Sequence, residues 1–303
     1  MTDFPALRSV VEEAEALGFD SYWIPDHPSL IPDWVPTLAR LAVTTSRIRL
    51  GTLVACASYR EAAVLANQAA DIDRLSGGRM VLGIGSGDYH EDFTKLGLAF
   101  PTFAERHART TETIQALRSL WSGEPVTLEG THVHLEEMSA PTLPVQLPWI
   151  PILMGGGGER VTLKGVAEYA DASNFGAWEG VGGAETPDAI RRKLAALQAH
   201  CEDMGRPFET VLPSYVILRM LLGRTASALQ EKVDRLPPWA AEQFEWLKGL
   251  TMTVDEATDY FQSLVDAGIR YIIVRIWEDD YDSMRIISEH VLPRLRVDSE
   301  TPS

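Results

Sequence analysis

The feature that most constrains this chain is a regular alternation of short apolar segments with longer segments of helical periodicity. The apolar segments are rich in β-branched and aromatic residues and are bounded by turn residues, so they predict strands. Strands that alternate with helices in this way are typical of an α/β fold with a parallel sheet and right-handed crossovers. Seven strands are predicted, at 20–26, 48–56, 80–84, 152–154, 171–175, 211–222 and 271–276.

Two α/β architectures are consistent with this alternation, a (β/α)₈ TIM barrel and a doubly wound open sheet. The barrel needs eight strands, and the strand that would precede the first predicted helix is missing from the start of the chain. Either the true start of the protein lies upstream in the same reading frame, or the barrel closes differently. We favour the barrel, since no strand-order signal of an open sheet is evident, and we expect one barrel domain over residues 1–303.

Two regions interrupt the alternation and predict insertions into the barrel. Segment 125–136 has two runs of alternating polarity around Glu129-Gly130-Thr131, which predicts a β-hairpin. Segment 225–253 contains Pro237-Pro238-Trp239 and predicts two short helices with a break between them.

The charge balance limits the partners of the protein. With 27 basic and 43 acidic residues the net charge is −16, which argues against nucleic acid or an anionic membrane as a partner. The N-terminal segment is acidic and amphipathic, unlike a signal peptide, and no apolar run approaches the length of a membrane span, so we expect a cytoplasmic protein. Cys56 and Cys201 are far apart and lack metal-ligand spacing, so free buried thiols and no metal site are expected.

Functional residues of a TIM barrel lie at the C-terminal ends of its strands. At those ends the sequence places Asp26-His27, Gly85-Ser86-Gly87-Asp88 and Gly155–Glu159. Each has a simpler interpretation, since Asp26-His27-Pro28 can end a strand and Asp88 can cap the next helix. Together they indicate a cofactor pocket, in which a histidine and a carboxylate lie beside a glycine-rich turn.

The segment PILMGGGGER, residues 151–160, predicts a strand, a tight turn and a helix. Glycines let the backbone approach a ligand closely, and the N–H groups of a helix start favour an anion such as phosphate. The lysine of a P-loop and the G-x-G-x-x-G pattern are both absent, so a glycine-rich connection without a ligand is the alternative.

Several stretches, in order along the chain, resemble the luciferase-like superfamily of flavin and deazaflavin enzymes. They include ALGFDSYWIPDH, TTSRIRLGTLVACASYREAAVLANQAADIDRLSGGRMVLGIGSGDYHEDF and PILMGGGGERVTLKGVAEYADASNFG. Members that depend on FMN share the SRIRLGT and LSGGR patterns. The run GGGGER-x-TL-x-x-x-AEYAD makes the chain most similar to the coenzyme F420-dependent oxidoreductases.

The resemblance implies a (β/α)₈ barrel with an insertion after the fourth strand, and it implies roles for individual residues. Asp26 and His27 match an Asp-His pair beside the isoalloxazine-like ring, and Leu53 and Val54 match positions where the family often has a non-prolyl cis peptide behind that ring. The implied catalytic residues are His27, as proton donor or acceptor, and Asp88, as a second acid or base. The implied cofactor-binding residues are Asp26, Leu53, Val54, Gly85, Ser86, Gly87, Gly155, Gly156, Gly157 and Gly158. Ala55 and Glu159, at the same predicted strand ends, complete the predicted set.

The resemblance therefore implies hydride transfer between F420 and a small organic substrate, in a homodimer. The chain departs from the family in lacking the first strand, and Ile31 stands where the glucose-6-phosphate dehydrogenases carry a Trp, so that substrate is not expected. The anionic tail of F420 would need local cations, for which Arg60, Arg160 and Lys164 are candidates.

Two other functions stay open, an FMNH₂-dependent monooxygenase and a non-catalytic flavin-binding or subunit-like protein. We expect the loops near Trp178–Gly183 and Pro237–Gly249 to set the substrate. Trp239 and Trp246 suggest either an apolar lid or a packing or dimer surface.

Overall fold

A computed structural model describes residues 4–277 and 280–296. In this part of the chain, helices alternate with parallel strands, and one antiparallel hairpin is set apart from them. The described residues form two compact units, 4–15, 19–155 and 164–172 in the first, and 16–18, 156–163, 173–277 and 280–296 in the second. The expectation of one barrel domain stays a prediction.

The sheet of the first unit has the strand order β1-β2-β4-β7, all parallel, with the short strand β3 also paired to β4. Helix α3 packs between α2 and α5, and the hairpin β5-β6 follows α5. The elements are α1 (Phe4–Ala16), β1 (Ser21–Ile24), α2 (Trp34–Thr44), β2 (Arg49–Thr52), β3 (Ala55–Cys56), α3 (Ala62–Ser76), β4 (Met80–Gly85), α4 (His90–Lys95), α5 (Phe103–Leu120), β5 (Val126–Glu129), β6 (His134–Met138), β7 (Ile152–Gly155) and α6 (Thr162–Tyr169).

Strands β4 and β7 of this sheet are continuous apolar runs because both of their faces are covered. Leu50 in β2, Leu82 in β4 and Ile152 in β7 have no exposed surface. A strand that is buried on both faces of the sheet has no polar face, so its sequence shows no alternation of polar and apolar residues. Burial of these side chains is the main favourable contribution to folding in this unit.

The second unit is built around the long strand β9, which lies between neighbouring parallel strands. Strand β8 pairs with β9, β11 pairs along its first part from Ser214, and β10 pairs along its end from Met220. The elements are β8 (Ala172–Gly176), α7 (Pro187–Asp203), β9 (Leu212–Gly223), α8 (Ala226–Asp234), α9 (Pro238–Trp246), β10 (Leu250–Thr253), α10 (Val254–Asp266), β11 (Tyr271–Ile276) and α11 (Tyr281–Ile286). One π-helical turn, Ile287–Val291, continues α11.

All seven predicted strands are present, with two differences. The predicted strand 48–56 is broken into β2 and β3 at Leu53 and Val54, where the peptide bond is cis, as the family pattern implies. The hairpin and the two short helices of the insertions are confirmed, but β10 inside the second insertion was not predicted. Within the described residues, α1 is the first element and no strand precedes it. A search of the same residues finds no helix that is both long and apolar enough to cross a membrane.

Candidate active site

In the first unit, Asp26 follows β1 and forms a buried ion pair. Its Oδ2 accepts hydrogen bonds from Arg60 at 2.6 Å and from the backbone N–H of Cys56 at 3.1 Å. The second terminal nitrogen of Arg60 donates to Asp33 Oδ2 at 2.8 Å. Burial raises the pKa of Asp26, and the charge of Arg60 offsets part of that effect. Arg60, a candidate cation for a cofactor tail, is thus already matched by two carboxylates.

His27, the next residue, is held by a carboxylate that the sequence did not point to. Its Nδ1 lies 2.8 Å from Oδ2 of Asp92, whose side chain is completely buried, whereas 36% of the His27 side chain is exposed. Burial opposes the charge on Asp92, but hydrogen bonds from Ser29 and His27 outweigh this and lower its pKa. The edge of the His27 ring also meets the Tyr89 ring, with 5.6 Å between centroids. His27 is therefore an ordered, half-exposed imidazole beside a buried anion.

Asp88, the carboxylate selected from the sequence, lies exposed on the loop between β4 and α4. The alternative that it caps the next helix is wrong, because Tyr89 occupies the N-cap position of α4. The carboxylate that the structure brings to His27 is Asp92, in the first turn of that helix. The site role of Asp88 stays a prediction.

Val54 packs against three glycines at or near the ends of strands. A Cβ atom on Gly85 would lie 2.6 Å from Cγ2 of Val54, and one on Gly155 would lie 3.0 Å from Cγ1. At Gly83, a Cβ would overlap the carbonyl oxygen of Thr52. The predicted residues Val54, Gly85 and Gly155 therefore lie together, and a structural reason for the two glycines is that Val54 fills the space of their side chains.

The other predicted residues of the first unit lie around this contact. Leu53 donates its backbone N–H to the carbonyl of Ile24, and Ala55 pairs with Ile84 in β4. Ser86 accepts a hydrogen bond from Thr110 at 3.2 Å, so its hydroxyl is tied to α5. Gly87 has a φ of 73°, and a Cβ there would lie 2.6 Å from the sulfur of Cys56, so only glycine fits.

In the second unit, the glycine-rich turn is closed by a buried lysine. Lys193 on α7 is 7% exposed at its side chain, and its Nζ donates to the carbonyl of Gly157 at 2.7 Å. Burial lowers the pKa of Lys193, and Glu159, 3.9 Å away, offsets part of that effect. Gly156 has a φ of 113°, which L side chains rarely adopt. A Cβ on Gly158 would lie 3.1 Å from the hydroxyl oxygen of Thr162.

The tryptophans of the insertion are paired with other aromatic residues of the second unit. Trp246 meets Trp178 with 5.0 Å between ring centroids, and Trp239 meets Trp277 at 5.4 Å. Both stay largely exposed, Trp246 at 61% and Trp239 at 51%. Both alternatives, a lid and a packing surface, stay open.

Cys56 and Cys201 are buried and free, and burial raises the pKa of the Cys56 thiol to about 11. Among the residues that the structure describes, no group of three His, Cys, Asp or Glu side chains is placed to hold a metal ion.

Comparison with known proteins identifies relatives over most of the chain. The chain is 27% identical to an F420-dependent glucose-6-phosphate dehydrogenase of Amycolatopsis mediterranei, and the match covers 96% of this chain and 95% of the relative. An F420-dependent tetrahydromethanopterin reductase from Methanopyrus kandleri has a TM-score of 0.81 at 20% identity, with 97% of this chain and 96% of that chain covered. A monooxygenase from Streptomyces bottropensis has a TM-score of 0.80 at 22% identity, with 96% and 93% covered.

These similarities confirm the predicted fold class, an α/β fold of the luciferase-like TIM-barrel type. The family model described as luciferase-like monooxygenase matches residues 2–267, which is most of the sequence. The resemblance found in the sequence motifs is thereby confirmed, and the chain belongs to the luciferase-like monooxygenase family.

Proposed function

We propose that the protein is an F420-dependent oxidoreductase that transfers a hydride between the deazaflavin and a small organic substrate. The observation that carries the proposal is the similarity, over 96% of this chain, to a relative named for its dependence on F420. The site supports it, because a half-exposed histidine held by a buried carboxylate is suited to move the proton that accompanies hydride transfer.

The residues present fit a planar cofactor with an anionic tail. In the first unit, half-buried Val54 offers an apolar surface, with Gly85 and Gly155 packed against it. In the second unit, Lys193 brings a buried positive charge to the turn that contains Gly157. F420 supplies the hydride chemistry when it is bound. The proposed cofactor-binding residues are Asp26, Leu53, Val54, Ala55, Gly85, Ser86, Gly87, Gly155, Gly156, Gly157, Gly158 and Glu159.

Two residues of the chain have proposed catalytic roles. His27 exchanges a proton with the substrate, and exposed Asp88 is the second acid or base. Ile31 donates its backbone N–H to the carbonyl of His27, so the residue that replaces the family's Trp lies in the same turn as the catalytic histidine. We therefore propose a substrate other than glucose 6-phosphate, since the side chain of an aliphatic residue cannot reproduce the contacts of an indole.

The test is a titration of the purified protein with F420 and, separately, with FMN. We expect F420 to bind, and the change in its fluorescence measures the binding. We also expect an oxidisable substrate to reduce the bound F420 without uptake of oxygen. His27→Ala should lower turnover about 10²- to 10⁴-fold, the usual contribution of a general acid or base, and leave F420 binding nearly intact. Glu91→Gln, on α4 and paired with Lys95 at the surface, is the matched control. Full activity of His27→Ala would exclude the role of His27.

The second candidate function is an FMNH₂-dependent monooxygenase. It is supported by one observation, the match of residues 2–267 to the family model described as luciferase-like monooxygenase. Binding of FMN rather than F420, with oxygen uptake coupled to a flavin reductase, would establish this function in place of the first. A protein that is redox-inert with both cofactors would support the non-catalytic alternative.

The assembly and location are also proposals. We propose a cytoplasmic homodimer with a small molecule as its substrate. We also propose that it has no nucleic-acid or membrane partner, which the net charge of −16 supports. Light scattering of the purified protein distinguishes one mass of 33.5 kDa from twice that mass.

A further inference from the structure

The buried carboxylate of Asp92 accepts hydrogen bonds from two loops of the first unit, one after β1 and one after β3. The backbone N–H of Ser29 donates to its Oδ1 at 3.2 Å, and the Ser29 hydroxyl donates to the same oxygen. The Tyr59 hydroxyl donates to Oδ2 at 3.4 Å, and Nδ1 of His27 lies 2.8 Å from Oδ2. Ser29 follows β1, Tyr59 follows β3 and Asp92 lies in α4 after β4, so three strand ends converge on this one anion.

This arrangement decides which nitrogen of His27 carries hydrogen. An ionised carboxylate only accepts hydrogen bonds, so the imidazole nitrogen that faces it must be a donor. Nδ1 is that nitrogen, which leaves Nε2 as the nitrogen available to a substrate. Within the described residues, Nε2 of His27 has no hydrogen-bond partner, and 36% of the His27 side chain is exposed.

We propose that Asp92 is the positioning residue of the site, which fixes His27 as the Nδ1–H tautomer so that Nε2 exchanges the proton with the substrate. This proposal rests on the proposed function in one respect, that the substrate is the group with which Nε2 exchanges the proton. The tautomer itself is a property of the protein without any cofactor, so it can be measured independently.

The alternative is a purely structural role, in which Asp92 only joins α4 to the loop after β1. The substitution Asp92→Asn separates the two, and the geometry predicts its outcome. Two donors from Ser29 keep an oxygen at the Oδ1 position, so the amide nitrogen must take the Oδ2 position, facing His27. An amide N–H donates, so Nδ1 becomes the acceptor and the hydrogen of the ring moves to Nε2.

The experiment is ¹⁵N NMR of the full-length protein labelled at histidine, without cofactor, recorded up to about pH 9, where imidazoles are neutral. His27→Asn assigns the signals of His27. We expect Nδ1–H in the wild type, inversion to Nε2–H in Asp92→Asn, and no change in Glu91→Gln, which removes a carboxylate one residue earlier on the same helix. An Nε2–H wild type, or an unchanged tautomer in folded Asp92→Asn, overturns the proposal.

Turnover with F420 then separates this inference from the proposed function. Asp92→Asn should lower kcat about 10²-fold, within the range for lost general acid–base catalysis, with KM and F420 affinity unchanged. If the tautomer inverts but no variant binds F420, the proposed function fails and the positioning role stands. If Asp92→Asn does not fold, the wild-type spectrum still decides, because an Nε2–H tautomer there overturns the proposal. Ser29→Ala leaves the carboxylate and the backbone N–H of residue 29 in place, so it should keep the Nδ1–H tautomer.

Discussion

The contact between Val54 and Gly85 gives a prediction about why these strand ends carry glycine. A methyl group on Gly85 would lie 2.6 Å from Cγ2 of Val54, whereas carbon atoms in favourable contact are about 3.5–4.0 Å apart. The Val54 side chain is β-branched and therefore stiff at χ1, so its methyl group does not move aside freely. Gly85 has no positive φ, so alanine adds only the overlap and no backbone strain.

The magnitude follows from the cost of overpacking. An extra methyl group in a packed site costs about 1–3 kcal/mol, and the lower chain entropy of alanine returns about 0.4–1 kcal/mol. We therefore expect Gly85→Ala to lower the free energy of unfolding by about 1–2 kcal/mol. In the double variant with Val54→Ala only Cβ of residue 54 remains, 3.7 Å from the new methyl group, which is an ordinary contact. The double variant should then recover stability relative to the sum of the two single changes.

The assay is urea denaturation of the wild type, both single variants and the double variant, combined as a double-mutant cycle. Gly83→Ala is the matched control, because its methyl group would meet the backbone oxygen of Thr52, which Val54→Ala cannot move away. The packing explanation would be refuted if the cycle showed no coupling energy between Gly85→Ala and Val54→Ala. It would also be refuted if Val54→Ala restored the stability of Gly83→Ala to the same extent. F420 binding by a rescued double variant would show that the cofactor does not need glycine at 85.

Two further predictions concern charged groups. Burial raises the pKa of Glu15, but backbone hydrogen bonds from Ile48, Arg47 and Ser46 outweigh this effect and lower the pKa from 4.5 to about 2. The ionised Glu15 therefore stabilises the folded protein above pH 4.5, and this contribution is lost as the pH falls towards 2. Glu15→Gln should lower the free energy of unfolding at pH 7 by about 1–2 kcal/mol, after allowance for solvent screening. The urea midpoints of the wild type and the variant should converge near pH 2, and a difference that stays constant with pH would contradict this. Lys193→Met removes the donor to Gly157 and should weaken F420 binding about tenfold. Arg191→Met, an exposed position on α7 that pairs with Asp188, should not weaken it, and equal F420 affinity of the two variants would show that Lys193 does not contribute to binding.

Most strands were predictable because burial on both faces leaves a plain signal in the sequence. Met80–Gly85 is an apolar run between polar segments, and its neighbours in the sheet are similar. Strand β10 was missed because none of its residues Leu250–Thr253 is fully buried, two of the four are threonines and the strand directly joins a helix, so no apolar run marks it.

The acidic partner of His27 was missed for a different reason. Helix α4 has six residues, HEDFTK, and begins without a side-chain cap, so the sequence looks like a charged loop. Asp92 is nonetheless completely buried, and its contact with His27 spans 65 residues of sequence. Only tertiary structure identifies such a pair, because a buried carboxylate and an exposed one have the same local pattern. The sequence-based choice of Asp88 followed its position in the loop after a predicted strand and the resemblance to the family, and neither criterion reports burial or a partner.

The carboxylates that follow β1 and β4 have different environments, which assigns them different tasks. Asp26 is matched by the guanidinium of Arg60, so its charge is neutralised within the protein. Asp92 is held by Ser29, Tyr59 and His27, and its lowered pKa keeps it an anion, so it orients the imidazole and does not itself carry protons in the neutral range. Asp88 is exposed, so of the three it is the carboxylate that can exchange protons with solvent or substrate. Proton transfer at this site is therefore expected to depend on His27 first, on Asp92 through the orientation of His27, and on Asp88 only where a substrate reaches the loop after β4.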